Sequence, residues 1–297
     1  MNREWITQQS VNLDKEMHIL VYGDRGYPVV VFETQDSMCN SFEDFGMIDT
    51  LSDYIENGNI QLFCVDSVDT ESWSDSWGDK AWRAERQEAY FRYICDEVVP
   101  LVHERNDSDL RPLGIGCSMG ATHAAIFALR RPDLFQGCIA MSGVYDAQVF
   151  FGDWMNDTLY LNSPTAFLPN MPEDHPYIEV YNQRQIVLCV GQGAWEEDGI
   201  RTQRVLDEAF SRLGIAAWCD YWGFDVNHDW PWWKQQIRYF LPIVLDDIER
   251  MAAEEEAAKK PTAKKPAAAK KPAAAAKKPA AAKKAPAAKK PAAAKKA

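Results

Sequence analysis

The run Gly116-Cys-Ser118-Met-Gly120 constrains the fold of this chain more than any other stretch, because of what flanks it. Upstream, Leu110-Arg-Pro-Leu-Gly-Ile115 is a short apolar segment suited to the end of a buried strand. Downstream, Ala121–Leu129 holds helix formers and neither Gly nor Pro. In G-x-S-x-G a strand turns sharply into a helix, the serine sits strained at the apex, and the glycines let backbones pass closely. The first free N–H groups of the helix then face the place where an oxyanion would form.

The surrounding pattern suits such an elbow. Pro28–Phe32 and Ile60–Val65 are near-continuous apolar runs, as expected of parallel strands buried on both faces. Further strands are expected at Gly137–Ser142, Ile186–Val190 and Ala216–Tyr221, and helices at Trp82–Arg105, Arg201–Leu213 and from about Trp233 to Arg250. Trp5–Leu13 and Lys15–Tyr22 alternate and read as an opening antiparallel pair. The expected class is α/β, with a mostly parallel central sheet and helices on both faces. Periodicity lapses across residues 143–177, which read equally as a lid over a pocket or as a packed surface excursion.

Composition divides the chain. Residues 1–251 have the size and apolar content of one large domain, whereas 252–297 is almost entirely Ala, Lys and Pro. Fourteen lysines against three glutamates give this tail a balance of +11, so with −12 overall the rest carries −23. The tail is expected to be disordered and able to contact polyanions, nucleic acid or an anionic surface, or else to serve only as a solubilising appendage. The acidic domain argues against non-specific nucleic-acid binding. No secretory h-region and no transmembrane stretch of about 20 apolar residues is visible. Seven scattered cysteines without a C-x-x-C read as reduced core residues, with neither disulfides nor a metal site, which suits a cytoplasmic protein.

A serine nucleophile needs a base oriented by an acid. Of five histidines, His228 follows a strand in Trp222–Trp233 and opens the last strand-to-helix connection, where such sheets present functional side chains. His123, on the helix after the elbow, reads as a packed helix residue. The acid should follow the strand between serine and histidine, where Glu196, Glu197 and Asp198 are consecutive. Position alone leaves them open; a carboxylate buried against the imidazole favours Glu196, with Glu197 its main rival. The oxyanion hole should use the amide of Met119 and one from the Glu33–Met38 loop, Gln35 or Thr34. Trp73, Trp77, Trp195 and Trp230 fall in loops beside this site and suggest an aromatic-walled pocket for sugars or aromatic acyl groups.

Ser118 in its elbow, Gly191-Gln-Gly-Ala-Trp-Glu196 and Asn227-His-Asp-Trp-Pro-Trp-Trp233 together resemble the putative-esterase family of α/β-hydrolases, over about residues 1–250. The family includes feruloyl esterases, S-formylglutathione hydrolases, enterochelin esterases and mycolyltransferases. The resemblance places Glu196 at the acid, although Asp is commoner there, and this chain lacks a His-Gly-Gly oxyanion loop. It implies a cofactor-independent serine hydrolase for a small-molecule carboxylic ester, or a thioester, working through an acyl-enzyme. The alternatives are an acyltransferase using the same acyl-enzyme and a non-catalytic binding protein of the same fold, tethered by its tail.

Overall fold

The computed structural model describes residues 1–259. Eight strands form one sheet: β1 (Arg3–Ser10), β2 (Lys15–Tyr22), β3 (Tyr27–Phe32), β4 (Ile60–Val65), β5 (Leu113–Cys117), β6 (Gly137–Met141), β7 (Gln185–Val190) and β8 (Trp218–Tyr221). Their order is β1-β2-β4-β3-β5-β6-β7-β8. The hairpin β1–β2 and the β2–β4 pair are antiparallel, and every other pairing is parallel. The expected α/β class and opening antiparallel pair are both present.

Side-chain alternation along the strands builds two cores. Val30, Phe32, Phe63, Val65, Cys138, Ala140 and Leu188 face one layer, while Val29, Val31, Leu62, Cys64, Ile139, Met141 and Cys189 face the other. The first layer is covered by α1 (Lys80–Tyr93), α2 (Met119–Arg130) and α3 (Glu197–Leu213). The second is covered by α4 (Trp230–Lys259), through Trp233, Ile237, Phe240, Leu241 and Val244, and by short helices within Ser41–Glu56. On β5 the positions facing α2 are Gly114 and Gly116, so the helix after the elbow can lie close to the sheet.

Several boundaries differ from the sequence pattern. The elbow strand begins after Pro112 and runs to Cys117; Leu110 is exposed. The third helix starts at Glu197 rather than Arg201, since two acidic residues in its first turn suit the positive end of the helix dipole. The last helix continues to Lys259, past the change in composition at Ala252. Beyond Ala252 its alanines and glutamates propagate a helix well, and after Pro242, inside the helix, the next proline is Pro261. Residues 260–297, and with them most of the tail on which polyanion contact was expected, lie outside the described residues.

Residues 143–177 hold short helices at Gln148–Phe151, Asp157–Leu161 and Pro164–Phe167, followed by another at Tyr177–Tyr181. Tyr145, Phe151, Leu159 and Leu168 are buried in the same core as α1, α2 and α3. The segment is also pinned by polar contacts: Arg130 and Asn162 both bind Glu88, and Arg212 donates to the carbonyls of Pro169 and Met171. The cysteines are all free thiols, and six of the seven are buried. Among the described residues no helix is long and apolar enough to cross a membrane.

Candidate active site

Ser118 stands between β5 and α2 with φ 56° and ψ −122°, a left-handed backbone region that L-residues rarely occupy. Its amide continues the strand ladder by donating to Met141 O at 2.9 Å, and its carbonyl receives the first helical N–H groups, from Ala121 and Thr122. The two glycines are needed for space. A Cβ on Gly116 would lie 2.2 Å from Gly120 backbone atoms, and one on Gly120 would lie 2.1 Å from Phe32 O. The end of β3 is thereby pressed against the first turn of α2, and Thr34 and Gln35 follow directly.

The crossed loops at the carboxyl ends of β7 and β8 deliver the other two side chains. Gly193 N–H donates to Val226 O at 2.8 Å, Ala194 N–H to Asn227 Oδ1 at 2.8 Å, and His228 N–H to Ala194 O at 3.0 Å. His228 Nε2 lies 2.8 Å from Ser118 Oγ, and His228 Nδ1 lies 3.1 Å from Glu196 Oε2. Because a carboxylate only accepts, Nδ1 carries the proton, and Nε2 is left to accept from the serine hydroxyl.

Among the three candidate acids, only Glu196 turns inward. It is 0% exposed, whereas Glu197 and Asp198 are exposed in the first turn of α3 and Asp198 pairs with Arg201. The second carboxylate oxygen of Glu196 is held by Ser142 Oγ–H at 2.7 Å and by Gly191 N–H at 3.4 Å. Trp233 Nε1–H donates in turn to Ser142 Oγ at 3.0 Å, and the Trp233 ring meets the His228 ring edge to face, 5.0 Å between centroids. The sequence pattern gives neither Ser142 nor Trp233 a role beside the acid, although Trp233 closes the Asn227–Trp233 motif. Ser142 follows β6 with φ 60°, a strained position that a sequence pattern does not reveal.

Other candidates occupy different settings. Trp195 is 84% exposed and has φ 68°; it is the hinge that carries the chain from the loop into the buried Glu196. Trp230 stacks on Phe45 at 4.7 Å. Trp77 is almost fully exposed. Trp73 is 2% exposed, donates to Gln87 Oε1 and packs against Phe150 and Phe151, so it is a core residue that cannot wall an open pocket. Cys117, beside Ser118, is fully buried and its thiol pKa is pushed well up by desolvation, then by Glu33, so it offers no competing thiolate. Among the described residues no group of three or more His, Cys, Asp or Glu is arranged to hold a metal ion.

This geometry accompanies a family match. The model of the family described as Putative esterase matches residues 10–242. The chain belongs to this esterase family. Membership makes it a carboxylic-ester hydrolase. No curated protein matches the chain. Among solved structures, a ferulic acid esterase is similar with TM-score 0.64 and 16% identity, covering 83% of this chain and 98% of its own. The fluorophosphonate-binding serine hydrolase F of Staphylococcus aureus gives 0.61 and 15%, covering 82% and 98%. An S-formylglutathione hydrolase from Agrobacterium tumefaciens gives 0.61 and 16%, covering 83% and 95%. At these identities the likeness of this esterase to each of them is one of fold.

Proposed function

We propose that this esterase cleaves its substrate through an acyl-enzyme on Ser118. The observation that carries the reading is the continuous Ser118–His228–Glu196 chain, with 2.8 and 3.1 Å between its heteroatoms. Ser118 Oγ attacks the acyl carbon as its proton passes to His228 Nε2. Glu196 stabilises the resulting imidazolium and holds its tautomer. The tetrahedral oxyanion is received by the amide of Met119 and by that of Gln35 or Thr34. Collapse expels the alcohol, which takes the proton from His228. Water, activated by the same imidazole, then attacks the acyl group and returns Ser118.

Trp195 and Trp230 are the aromatic surfaces that the substrate meets, whereas Trp73 stays in the core. The reading extends to bulky or aromatic esters, for which an exposed indole supplies apolar area. The test has two parts. A fluorophosphonate probe should label the wild type and leave Ser118→Ala unlabelled, and Ser118→Ala should lose at least about 10⁴-fold in hydrolysis of p-nitrophenyl esters. Wild-type turnover by Ser118→Ala defeats the mechanism.

A further inference from the structure

The sequence marks His123 as a packing residue and gives Asp69 no role, yet the two form a buried pair directly behind the elbow. His123 Nε2 and Asp69 Oδ1 are 2.9 Å apart, with side chains 1% and 0% exposed. His123 stands on α2, the helix that begins at the Met119 amide. Asp69 opens a turn after β4, and its other oxygen accepts from the Asp36 amide at 3.4 Å. The backbone carbonyl of Asp69 accepts from Ser74 N–H at 2.8 Å, and Ser74 Oγ accepts from Gln35 Nε2 at 2.9 Å. Asp36 has φ 60°, a strained position, and the loop bearing Thr34 and Gln35 is held by its own Thr34–Ser37 turn bonds together with these contacts from the Asp69 turn. The turn is itself anchored by buried Arg83, which donates to the carbonyls of Ser72 and Trp73.

One carboxylate therefore touches both chain segments that carry the oxyanion donors. Those segments are far apart in sequence, and displacing one relative to the other by a fraction of an ångström weakens transition-state binding more than ground-state binding. A buried ionisable pair gains little stability over apolar packing of the same volume, which leaves its bridging geometry as the feature to explain.

We propose that Asp69, locked by His123, is a positioning residue that sets the outer oxyanion donor at Thr34–Gln35 against the Met119 amide. The proposal rests on the acyl-enzyme reading with Ser118 as nucleophile.

The test uses the full chain and the variants Asp69→Ala, Asp69→Asn and His123→Gln. Active sites are counted with a fluorophosphonate, so that rates refer to folded enzyme. Steady-state kinetics on p-nitrophenyl acetate are paired with the Ki of a trifluoromethyl ketone, whose hemiketal oxygen occupies the oxyanion hole. Asp69→Ala should lower kcat about 10- to 100-fold with KM within about threefold, because a displaced donor costs less than the 10²–10³ of a deleted one. The Ki should weaken in step with kcat/KM. Asn keeps one acceptor and should lose less than Ala, and His123→Gln keeps an N–H for Asp69 and should stay within about fivefold of wild type. If Asp69→Ala gives no titratable sites, Asp69→Asn carries the same comparison. Unchanged kcat per titrated site, a loss confined to KM, or an unchanged Ki beside a reduced kcat each overturns the proposal. Failure of the wild type to label on Ser118 would overturn the acyl-enzyme reading instead, and that measurement is separate.

Discussion

Replacing Glu196 by Gln should disable the enzyme through proton placement and leave its shape intact. The carboxylate receives donors on both oxygens: Ser142 Oγ–H and Gly191 N–H at Oε1, and His228 Nδ1–H at Oε2. An amide has only one carbonyl oxygen to offer. Facing it towards Oε1 keeps two donors satisfied and turns the NH₂ towards His228. Facing it the other way turns the NH₂ on Gly191 N–H and takes away the acceptor of the Ser142 hydroxyl hydrogen, at about 1–3 kcal/mol for each buried group left without a partner. The first orientation should therefore prevail. It requires Nδ1 to accept, which puts the imidazole proton on Nε2, where it can no longer take the proton of Ser118. The same change in a serine protease triad lowers kcat by about 10⁴. A loss of roughly 10³–10⁴ is expected here, about 4–5.5 kcal/mol at 1.36 kcal/mol per decade. The assay is p-nitrophenyl ester hydrolysis per folded molecule, with circular dichroism as the check on folding, beside Glu197→Gln as control. Glu197 is exposed, so its variant should stay within about twofold. More than a tenth of wild-type activity in Glu196→Gln, or an equal loss in Glu197→Gln, refutes the assignment.

Gly120→Ala should cost about 3 kcal/mol or more, because its Cβ would meet the rigid Phe32 carbonyl at 2.1 Å; urea denaturation reads this, and wild-type stability would contradict the packing argument. Glu33 is buried, and desolvation raises its pKa well above the usual carboxylate value. The folded state thus holds a proton that the unfolded state gives up above about pH 4.5, so stability falls as pH rises from there towards the folded value, by up to about 1.4 kcal/mol per pH unit. Glu33→Gln removes that dependence, and its melting temperature should rise relative to wild type between pH 4 and pH 8; a difference that stays flat with pH would sink the idea. Trp195→Ala should change stability by no more than about 0.5 kcal/mol, since the ring is 84% exposed, while raising KM for bulky aromatic esters more than for acetates. Equal KM changes across an ester series would remove Trp195 from the substrate surface.

The strands of this fold were legible because each carries its own signal. Val29–Phe32 and Ile60–Val65 are apolar on both faces, and only a sheet covered by helices on both sides buries such runs fully. The elbow was legible because the two glycines answer a steric need that operates within a few residues. Segment 143–177 had no comparable signal. Its short helices are set by contacts with α1, α2 and α3 rather than by a local period, as in the grip of Glu88 on Asn162. The end of the last helix was obscured for the opposite reason: alanine-rich sequence suits a helix and a disordered tail alike until prolines intervene.

The proposed triad acid shows the boundary between what spacing tells and what burial decides. Glu196, Glu197 and Asp198 are chemically near-equivalent in the sequence, and each could have opened a helix. What separates them is the turn at Trp195, whose φ of 68° sends the next side chain inward and the following two into solvent. The exposed pair then serve the dipole of α3, while the inward one meets an acceptor's demands through Ser142 and Gly191. The same logic applies to Ser142, Trp233, Asp69 and His123. No nucleophile motif specifies them, because on this reading each acts on a neighbour rather than on substrate, and its partner lies tens of residues away. A common serine or aspartate acquires such a role only when a fold removes it from water and leaves one group for it to bind. In the proposed mechanism, motifs thus specify the atoms that react, whereas the buried polar groups behind them specify how accurately those atoms are held.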